Sequence, residues 1–238
     1  MAARLHEPTL ILWDIDHTLV TIGEVSREIY ASAFEGIVGR PLCELVDMTG
    51  RTERAIIVET LKMHGVVKPE SKLDDFYVAL ANAADELRER MHAVGHLLPG
   101  AEQALATLAK LNVVQTVVTG NIKPIAVAKL EVFNLSGYMD FEVGGYGSDG
   151  DNRPPLILQA WQRAQHKYGQ VFEADRVVVI GDTPLDVAAA REVGVRAIGV
   201  ATGSSKIEDL MTAQADTVLP DLADTEAVIR VLCPAVRP

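Results

Sequence analysis

Two apolar segments of this sequence each end in acidic residues, and this pattern constrains the fold more than any other feature. Residues 10–13 are apolar and lead into Asp14 and Asp16, whereas residues 177–180 lead through a glycine into Asp182 and Asp186. Short apolar runs bounded by turn residues are typical of buried strands. Open parallel sheets bind ligands at the carboxyl ends of their strands, so the four acids are expected to converge at one edge of a sheet.

The periodicity of the remaining chain changes once, near residue 97. Apolar residues at spacings of three and four predict helices over residues 24–39, 51–64 and 73–94. Predicted helices (101–111, 124–133, 155–168, 185–193) then alternate with predicted strands (113–118, 141–144, 176–180, 197–200, 217–219). Such alternation implies parallel pairing. We therefore predict an α/β fold: a Rossmann-like doubly wound parallel sheet core, residues 1–20 and 97–238, with an inserted helical cap domain, residues 21–96.

The composition restricts the partners and the location. Lys and Arg total 22 against 33 Asp and Glu, and the net charge of −11 argues against nucleic acid or an anionic membrane as a partner. The amino terminus lacks the apolar core of a signal peptide. The two cysteines, Cys43 and Cys233, form no disulfide or zinc pattern and are expected to be reduced and structural. A cytoplasmic protein is predicted, and its oligomeric state is left open.

The converging acids also predict a chemistry. Neighbouring carboxylates raise one another's pKa unless a cation holds them, and an all-oxygen ligand set favours Mg²⁺. Asp14, Asp16, Asp182 and Asp186 are the predicted metal site. An aspartate can also attack phosphorus as a nucleophile, and a second carboxylate two residues along a strand projects the same way. Asp14 is therefore the predicted nucleophile and Asp16 the predicted general acid and base.

Two further segments supply groups that suit a phosphoryl anion. Thr119, Gly120 and Asn121 follow the predicted strand 113–118 and precede a helix, which is an anion-binding arrangement. Arg153 follows the glycine-rich residues 144–152, and its cation would offset charge on the phosphoryl group and on Asp14. Lys129 is the rival for this cationic role.

Together these segments resemble the haloacid dehalogenase superfamily of phosphohydrolases. Its first motif, Asp-x-Asp-x-Thr, is matched by Asp14, Asp16 and Thr18, and its last motif, Gly-Asp-x-x-x-Asp, begins at Gly181. The helical insert resembles the C1 cap of phosphoglycolate phosphatase-like members. The resemblance implies that Asp14 is phosphorylated and that Asp16 is the acid and base. It also implies that the Asp14 carboxylate, the Asp16 backbone carbonyl and Asp182 hold Mg²⁺.

Thr119 matches the second motif of the superfamily, but the third motif differs. Relatives usually carry lysine followed by proline, whereas this chain has Arg153 and Pro154, which keep the charge and change its shape. His17 stands where many relatives carry glycine. In the predicted cap, residues 48–52 resemble a substrate-selecting loop in which Arg51 could bind a carboxylate or a second phosphate. The alternative is that this loop merely ends one helix and caps the next.

The predicted function is a Mg²⁺-dependent phosphomonoesterase that hydrolyses a small phosphorylated metabolite through an aspartyl phosphate on Asp14. The residues predicted to contact the substrate are Thr18, Gly120, Asn121 and Arg51.

Four alternatives remain. A phosphomutase of the beta-phosphoglucomutase type would return the phosphoryl group to its substrate, and a phosphonate hydrolase would need a cap lysine such as Lys62, Lys68 or Lys72. A dehalogenase would not need Asp16. A non-catalytic protein that binds a phosphorylated ligand is the fourth.

Overall fold

A computed structural model describes residues 8–232, so the amino-terminal segment and Cys233 lie outside the described part of the chain. The strands are β1 (Thr9–Trp13), β2 (Val20–Thr21), β3 (His96–Leu97), β4 (Val113–Val117), β5 (Val177–Gly181), β6 (Arg196–Val200) and β7 (Thr217–Leu219). Five of them form one sheet in the order β4-β1-β5-β6-β7, and every pairing in it is parallel. The predicted parallel sheet is confirmed, with β1 at an interior position.

Helices occupy most of the remaining described chain. The helices are α1 (Val25–Val38), α2 (Glu53–Met63), α3 (Leu73–Glu86), α4 (Arg88–Val94), α5 (Ala101–Leu108), α6 (Lys123–Val132), α7 (Arg153–Tyr168), α8 (Pro184–Val193), α9 (Ile207–Thr212) and α10 (Thr225–Leu232). The predicted helix over residues 73–94 is in fact two helices, because the chain leaves helical geometry at Leu87. None of the helices in residues 8–232 is long and apolar enough to span a membrane.

Strand β1 is buried on both faces, which explains its continuous apolar sequence. Successive side chains of a strand point to opposite faces. Ile11 and Trp13 accordingly pack in one apolar cluster with α5, α6 and α10, whereas Leu10 and Leu12 pack in a second cluster with α7 and α8. Helices thus cover both faces of the sheet, and the fold is doubly wound as predicted.

Helices α1 to α4 form a third apolar cluster, centred on aromatic side chains such as Phe34 and Phe76. The chain enters this helical segment through β2 and leaves it through β3, and the two strands pair antiparallel, with Val20 opposite Leu97. The sequence pattern did not predict this pairing. The division into two domains at residues 20/21 and 96/97 stays a prediction.

Two predictions are wrong in detail. Residues 141–144 form turns rather than a strand, because the Asp140 carboxylate accepts a hydrogen bond from the Glu142 N–H at 3.1 Å and holds the backbone in a turn. The chain touches the sheet only at Gly145, through an isolated bridge to Val118. Cys43 is exposed rather than packed in a core, so a structural role for this thiol is not supported.

Candidate active site

The site lies at the carboxyl ends of three adjacent strands. Asp14 directly follows β1, Thr119 follows β4 and Asp182 follows β5. Because β1 lies between β4 and β5, all three side chains reach one region. The chain also reverses its winding direction here, since β4 and β5 lie on opposite sides of β1. Such a switch point is the usual ligand site of a doubly wound sheet.

Arg153 fixes one side of the Asp14 carboxylate. Both terminal nitrogens of its guanidinium lie 3.2 Å from Asp14 Oδ1, and Nε donates to the Gly50 carbonyl oxygen at 3.0 Å. Nη1 also donates to Asp186 Oδ1. The Asp14 Oδ2 atom accepts no hydrogen bond from residues 8–232. One oxygen of Asp14 is therefore held by a cation and the other is left available for chemistry.

Three buried carboxylates crowd this position. Oxygen atoms of Asp14, Asp182 and Asp186 lie within 4.8 Å of one another. Burial raises the pKa of Asp14 well above its ordinary range, and Asp186 and Asp182 raise it further, although Arg153 opposes them. Burial and the Asp186 carboxylate raise the pKa of Asp182 to about 7. Arg153 leaves part of this negative charge uncompensated, and an oxygen-only donor set of this kind fits a divalent cation such as Mg²⁺.

Asp186 also accepts hydrogen bonds that stabilise the start of α8. Its Oδ2 accepts from the Thr183 N–H at 3.1 Å and from the Thr183 hydroxyl at 2.6 Å, which closes a capping box at the start of α8. Its Oδ1 accepts from Arg153. Both oxygens therefore already have protein donors. Asp186 therefore combines these contacts with its predicted place among the metal ligands, because one of its oxygens lies within 4.8 Å of those of Asp14 and Asp182.

The Asp16 carboxylate lies outside this three-acid cluster and joins a second network. Lys129 Nζ lies 2.7 Å from both Asp16 oxygens and 2.9 Å from Asn121 Oδ1. Asn121 Nδ2 donates to Asp16 Oδ2 at 2.7 Å and to Thr119 Oγ1 at 2.8 Å. Burial opposes ionisation of Asp16, but the charge and hydrogen bonds of Lys129 outweigh burial and lower the pKa of this carboxyl. Asp16 is therefore ionised at neutral pH.

Both candidate cations identified in the sequence thus lie in the site, with different partners. Arg153 binds Asp14 and Asp186, whereas Lys129 binds Asp16. Burial alone would lower the pKa of Arg153, but the two carboxylates outweigh burial and raise it. Two buried positive charges thus stand among the acids: Arg153 is shared by two carboxylates, and Lys129 is paired with one.

The start of α2 docks directly onto the site loops. The Glu53 N–H donates to the Gly120 carbonyl at 2.8 Å, and the Arg54 N–H donates to the Gly147 carbonyl at 3.2 Å. A Cβ atom on Gly147 would lie 1.7 Å from the Gly120 carbonyl oxygen, and one on Gly120 would lie 2.0 Å from the Arg51 carbonyl oxygen. Only glycine permits this approach, which places α2 over the acids.

The structure also places three other residues that the sequence analysis noted. Thr18 is fully buried, its hydroxyl has no hydrogen-bond partner among residues 8–232, and it does not line the cavity, so a substrate contact is not supported. Arg51 lines the cavity but is paired with Glu59. His17 has a φ of 60°, in the left-handed region that favours glycine.

The sequence did not single out two cap-side residues that the structure brings to the site. Tyr30 of α1 and Glu53 of α2 both line the cavity and are buried. Tyr30 belongs to the apolar stripe of α1, and Glu53 occupies an ordinary first-turn position of α2. In the sequence, both residues therefore occupy positions that any amphipathic helix would have. Only the packing of α1 and α2 over the sheet shows that they reach the site.

Buried Glu53 makes stability pH-dependent in a predictable direction. Burial raises its pKa from the ordinary value of 4.5 to about 7, although Lys129 and the Ile122 N–H oppose this rise. Between these values the folded protein binds more protons at Glu53 than the unfolded chain, so stability falls as the pH rises. Relative to Glu53→Gln, the wild type should lose about 3 kcal/mol of unfolding free energy across this range.

Urea denaturation of both proteins from pH 4.5 to 8 measures this difference. Glu35→Gln is the matched control, because Glu35 is an exposed glutamate of α1, and its profile should parallel the wild type. Parallel profiles for Glu53→Gln and wild type would contradict the prediction.

The fold and site define a doubly wound α/β protein with a cluster of acids and two buried cations at the switch point of its sheet. A model of the haloacid dehalogenase-like hydrolase family matches residues 11–200, and the chain belongs to that family. It is 26% identical over 229 residues to a phosphoglycolate phosphatase of Agrobacterium fabrum, covering 94% of this chain and 92% of that protein. It is 22% identical over 227 residues to a phosphoglycolate phosphatase of Vibrio cholerae, covering 93% and 97%.

A solved structure gives the same picture of the fold. CbbY from Rhodobacter sphaeroides, determined in complex with phosphate, superposes with a TM-score of 0.67 at 18% identity, covering 91% of this chain and 96% of CbbY. The match of the family model to residues 11–200 confirms the expected superfamily membership.

Proposed function

We propose that this protein is a Mg²⁺-dependent phosphomonoesterase that hydrolyses a small phosphorylated metabolite through a phosphorylated Asp14. The observation that carries the proposal is the asymmetry of the Asp14 carboxylate. Arg153 holds Oδ1 with two donors, and Oδ2 accepts no hydrogen bond within residues 8–232. A carboxylate that is oriented through one oxygen and exposes the other to a cavity has the arrangement that a nucleophile requires.

In the first step, Asp14 Oδ2 forms a bond to phosphorus while the bond from phosphorus to the alcohol oxygen breaks. Asp16 gives the departing alcohol a proton, which it takes from the Lys129 ammonium at 2.7 Å. The Thr119 hydroxyl proton has no acceptor among the described residues and is available to a phosphoryl oxygen. The guanidinium of Arg153 stabilises the negative charge that gathers on the phosphoryl group.

In the second step, ionised Asp16 removes a proton from water and returns it to Lys129, the water oxygen bonds to phosphorus, and the bond to Asp14 breaks. The lowered pKa of Asp16 keeps this carboxyl in the form that the step needs. Inorganic phosphate leaves and the Asp14 carboxylate is restored. Mg²⁺ bound by Asp14 and Asp182, with the Asp16 backbone carbonyl, would offset negative charge on the phosphoryl oxygens.

The partner in this proposal is a small phosphorylated metabolite, and no nucleic acid is involved. The net charge of −11 supports the exclusion of nucleic acid. A cytoplasmic location is also proposed, because two cysteines without a disulfide pattern suit a reducing compartment.

Metal removal tests the proposal. Phosphate release from p-nitrophenyl phosphate should be observed with Mg²⁺, fall to background after dialysis against EDTA, and return when Mg²⁺ is added back. Full activity in EDTA would contradict the metal requirement. Turnover that appears only when a sugar bisphosphate is added would indicate a phosphomutase instead.

A further inference from the structure

The cavity above the acids is small and enclosed partly by the helical segment. Its volume is about 210 Å³, below the roughly 300–1,000 Å³ of typical ligand pockets. The strand ends supply Asp14 and Asp16, while α1 and α2 supply Tyr30 and Glu53. The alcohol part of a phosphate ester bound at Asp14 would therefore be a group of few atoms, in contact with α1 and α2.

Tyr30 contributes an unused hydrogen-bonding group to this cavity. The residue is 3% exposed, and its hydroxyl has no hydrogen-bond partner within residues 8–232. Buried polar groups in native proteins are nearly always paired, so an unpaired one that lines a cavity indicates a missing partner. Burial raises the pKa of this hydroxyl well above its ordinary range, so it retains its proton and can donate.

Glu53 contributes a nearly unused acceptor. It is 5% exposed, and the one hydrogen bond that its carboxyl accepts from the described residues comes from the Ile122 N–H at 3.3 Å. It forms no salt bridge within residues 8–232. Tyr30 and Glu53 are close enough for the Glu53 charge to raise the pKa of the tyrosine. Because both residues line the cavity, its wall offers a donor and an acceptor.

The arginine and lysine side chains that line the cavity already have partners. Arg51 is paired with Glu59 and also donates to the Asp47 carbonyl at 3.3 Å, while Arg153 and Lys129 are held by the site carboxylates. A substrate carboxylate would have to displace one of these pairs and would face Glu53. A substrate hydroxyl, by contrast, can accept from Tyr30 and donate to Glu53.

We propose that the cavity selects phosphate esters whose alcohol carries a neutral hydroxyl group, bound between Tyr30 and Glu53, and disfavours esters that carry a carboxylate. This inference rests on the proposed phosphatase function and narrows its substrate class. It also sets the chain apart from the relatives that are named for phosphoglycolate, whose alcohol carries a carboxylate.

Matched esters test the proposal. Alkyl phosphates of two, three and four carbons are compared with analogues in which the terminal group is a hydroxymethyl or a carboxylate, so ethyl phosphate is matched by 2-hydroxyethyl phosphate and 2-phosphoglycolate. With Mg²⁺, kcat/KM should be highest for a hydroxyl ester, about tenfold above the alkyl ester of that length, and lowest for the carboxylate ester. A carboxylate ester as the best substrate would overturn the proposal.

Variants identify the groups responsible. Tyr30→Phe should lower kcat/KM about tenfold for the best hydroxyl ester and change the alkyl ester by less than about twofold. At pH 8, where Glu53 is ionised, Glu53→Gln should raise kcat/KM for the carboxylate ester relative to the hydroxyl ester, because the substitution removes a charge repulsion. Tyr77→Phe alters a neighbouring tyrosine that does not line the cavity and should leave the preferences unchanged. Equal losses on alkyl and hydroxyl esters in Tyr30→Phe would overturn the proposal.

Failure of the proposed function gives a different result. If no ester is turned over with Mg²⁺, the phosphatase proposal fails, and titration calorimetry of the same esters with the wild type decides the present inference. Tighter binding of the hydroxyl ester than of both analogues supports it. Equal binding, or tighter binding of the carboxylate ester, overturns it.

Discussion

Asp14→Asn should lower kcat by at least about 10⁴-fold while leaving the protein folded. Asparagine has nearly the same shape as aspartate, so the variant keeps the packing at the end of β1. The amide, however, is a poor nucleophile and cannot form the phosphorylated intermediate. Because burial and neighbouring acids raise the pKa of Asp14, loss of its charge also relieves repulsion from Asp182 and Asp186. Thermal stability should therefore not collapse.

Phosphate release from p-nitrophenyl phosphate measures the loss, and mass spectrometry of acid-quenched enzyme detects the intermediate as a phosphorylated peptide that contains Asp14. Asp140→Asn is the matched control, because Asp140 pairs with Lys167 away from the cavity. It should retain full turnover. Comparable turnover in Asp14→Asn and wild type would refute the mechanism, since no other carboxylate in the site is oriented in the same way.

Arg153→Met should give the largest loss of stability among the site variants. It removes the cation that Asp14 and Asp186 share and leaves the buried carboxylates uncompensated. Breaking one side of a buried ion pair typically costs about 3–5 kcal/mol. Turnover should also fall by about 10²–10³, the usual effect of removing one donor to a developing charge.

Urea denaturation in EDTA measures the loss of unfolding free energy in Arg153→Met. The same measurement in Mg²⁺ shows how much of this loss the metal cation restores. Arg163→Met is the control on the same helix, because Arg163 pairs with Asp149 at a side-chain exposure of 36% and should contribute about 1 kcal/mol or less. The unfolding free energy of Arg153→Lys should fall between those of the wild type and Arg153→Met, since an ammonium cannot reproduce the forked geometry of the guanidinium. Equal stability of the Arg153 and Arg163 methionine variants would contradict the buried-pair interpretation.

Much of the fold could be predicted from the sequence because its signals are local. The apolar run before Asp14 and the glycine before Asp182 mark strand ends without reference to the rest of the chain. The turn at Asp140 could not be recognised, because the apolar residues that follow it look like a short strand. The pairing of β2 with β3 joins residues far apart in sequence, and no local pattern records it.

Some residues of the candidate site could likewise be predicted from local sequence, whereas others depend on tertiary packing. Asp14 and Thr119 follow strands and could be placed by sheet topology alone. Lys129 lies 113 residues from its partner Asp16 and stands within an otherwise apolar turn of α6, so its role depends on how α6 packs. Tyr30 and Glu53 depend on how α1 and α2 rest on the sheet. The sequence pattern thus predicted the acids that the strand ends bring together, whereas the residues that surround them depend on tertiary packing.

The antiparallel pairing of β2 and β3 has an evolutionary consequence. The chain leaves the sheet and returns to it through two neighbouring strands, joined at Val20 and Leu97. A segment whose ends are this close can be lengthened, shortened or exchanged without disturbing the strand order that assembles the acids. The intervening helices can therefore change the walls of the cavity without moving the acids that follow β1 and β5.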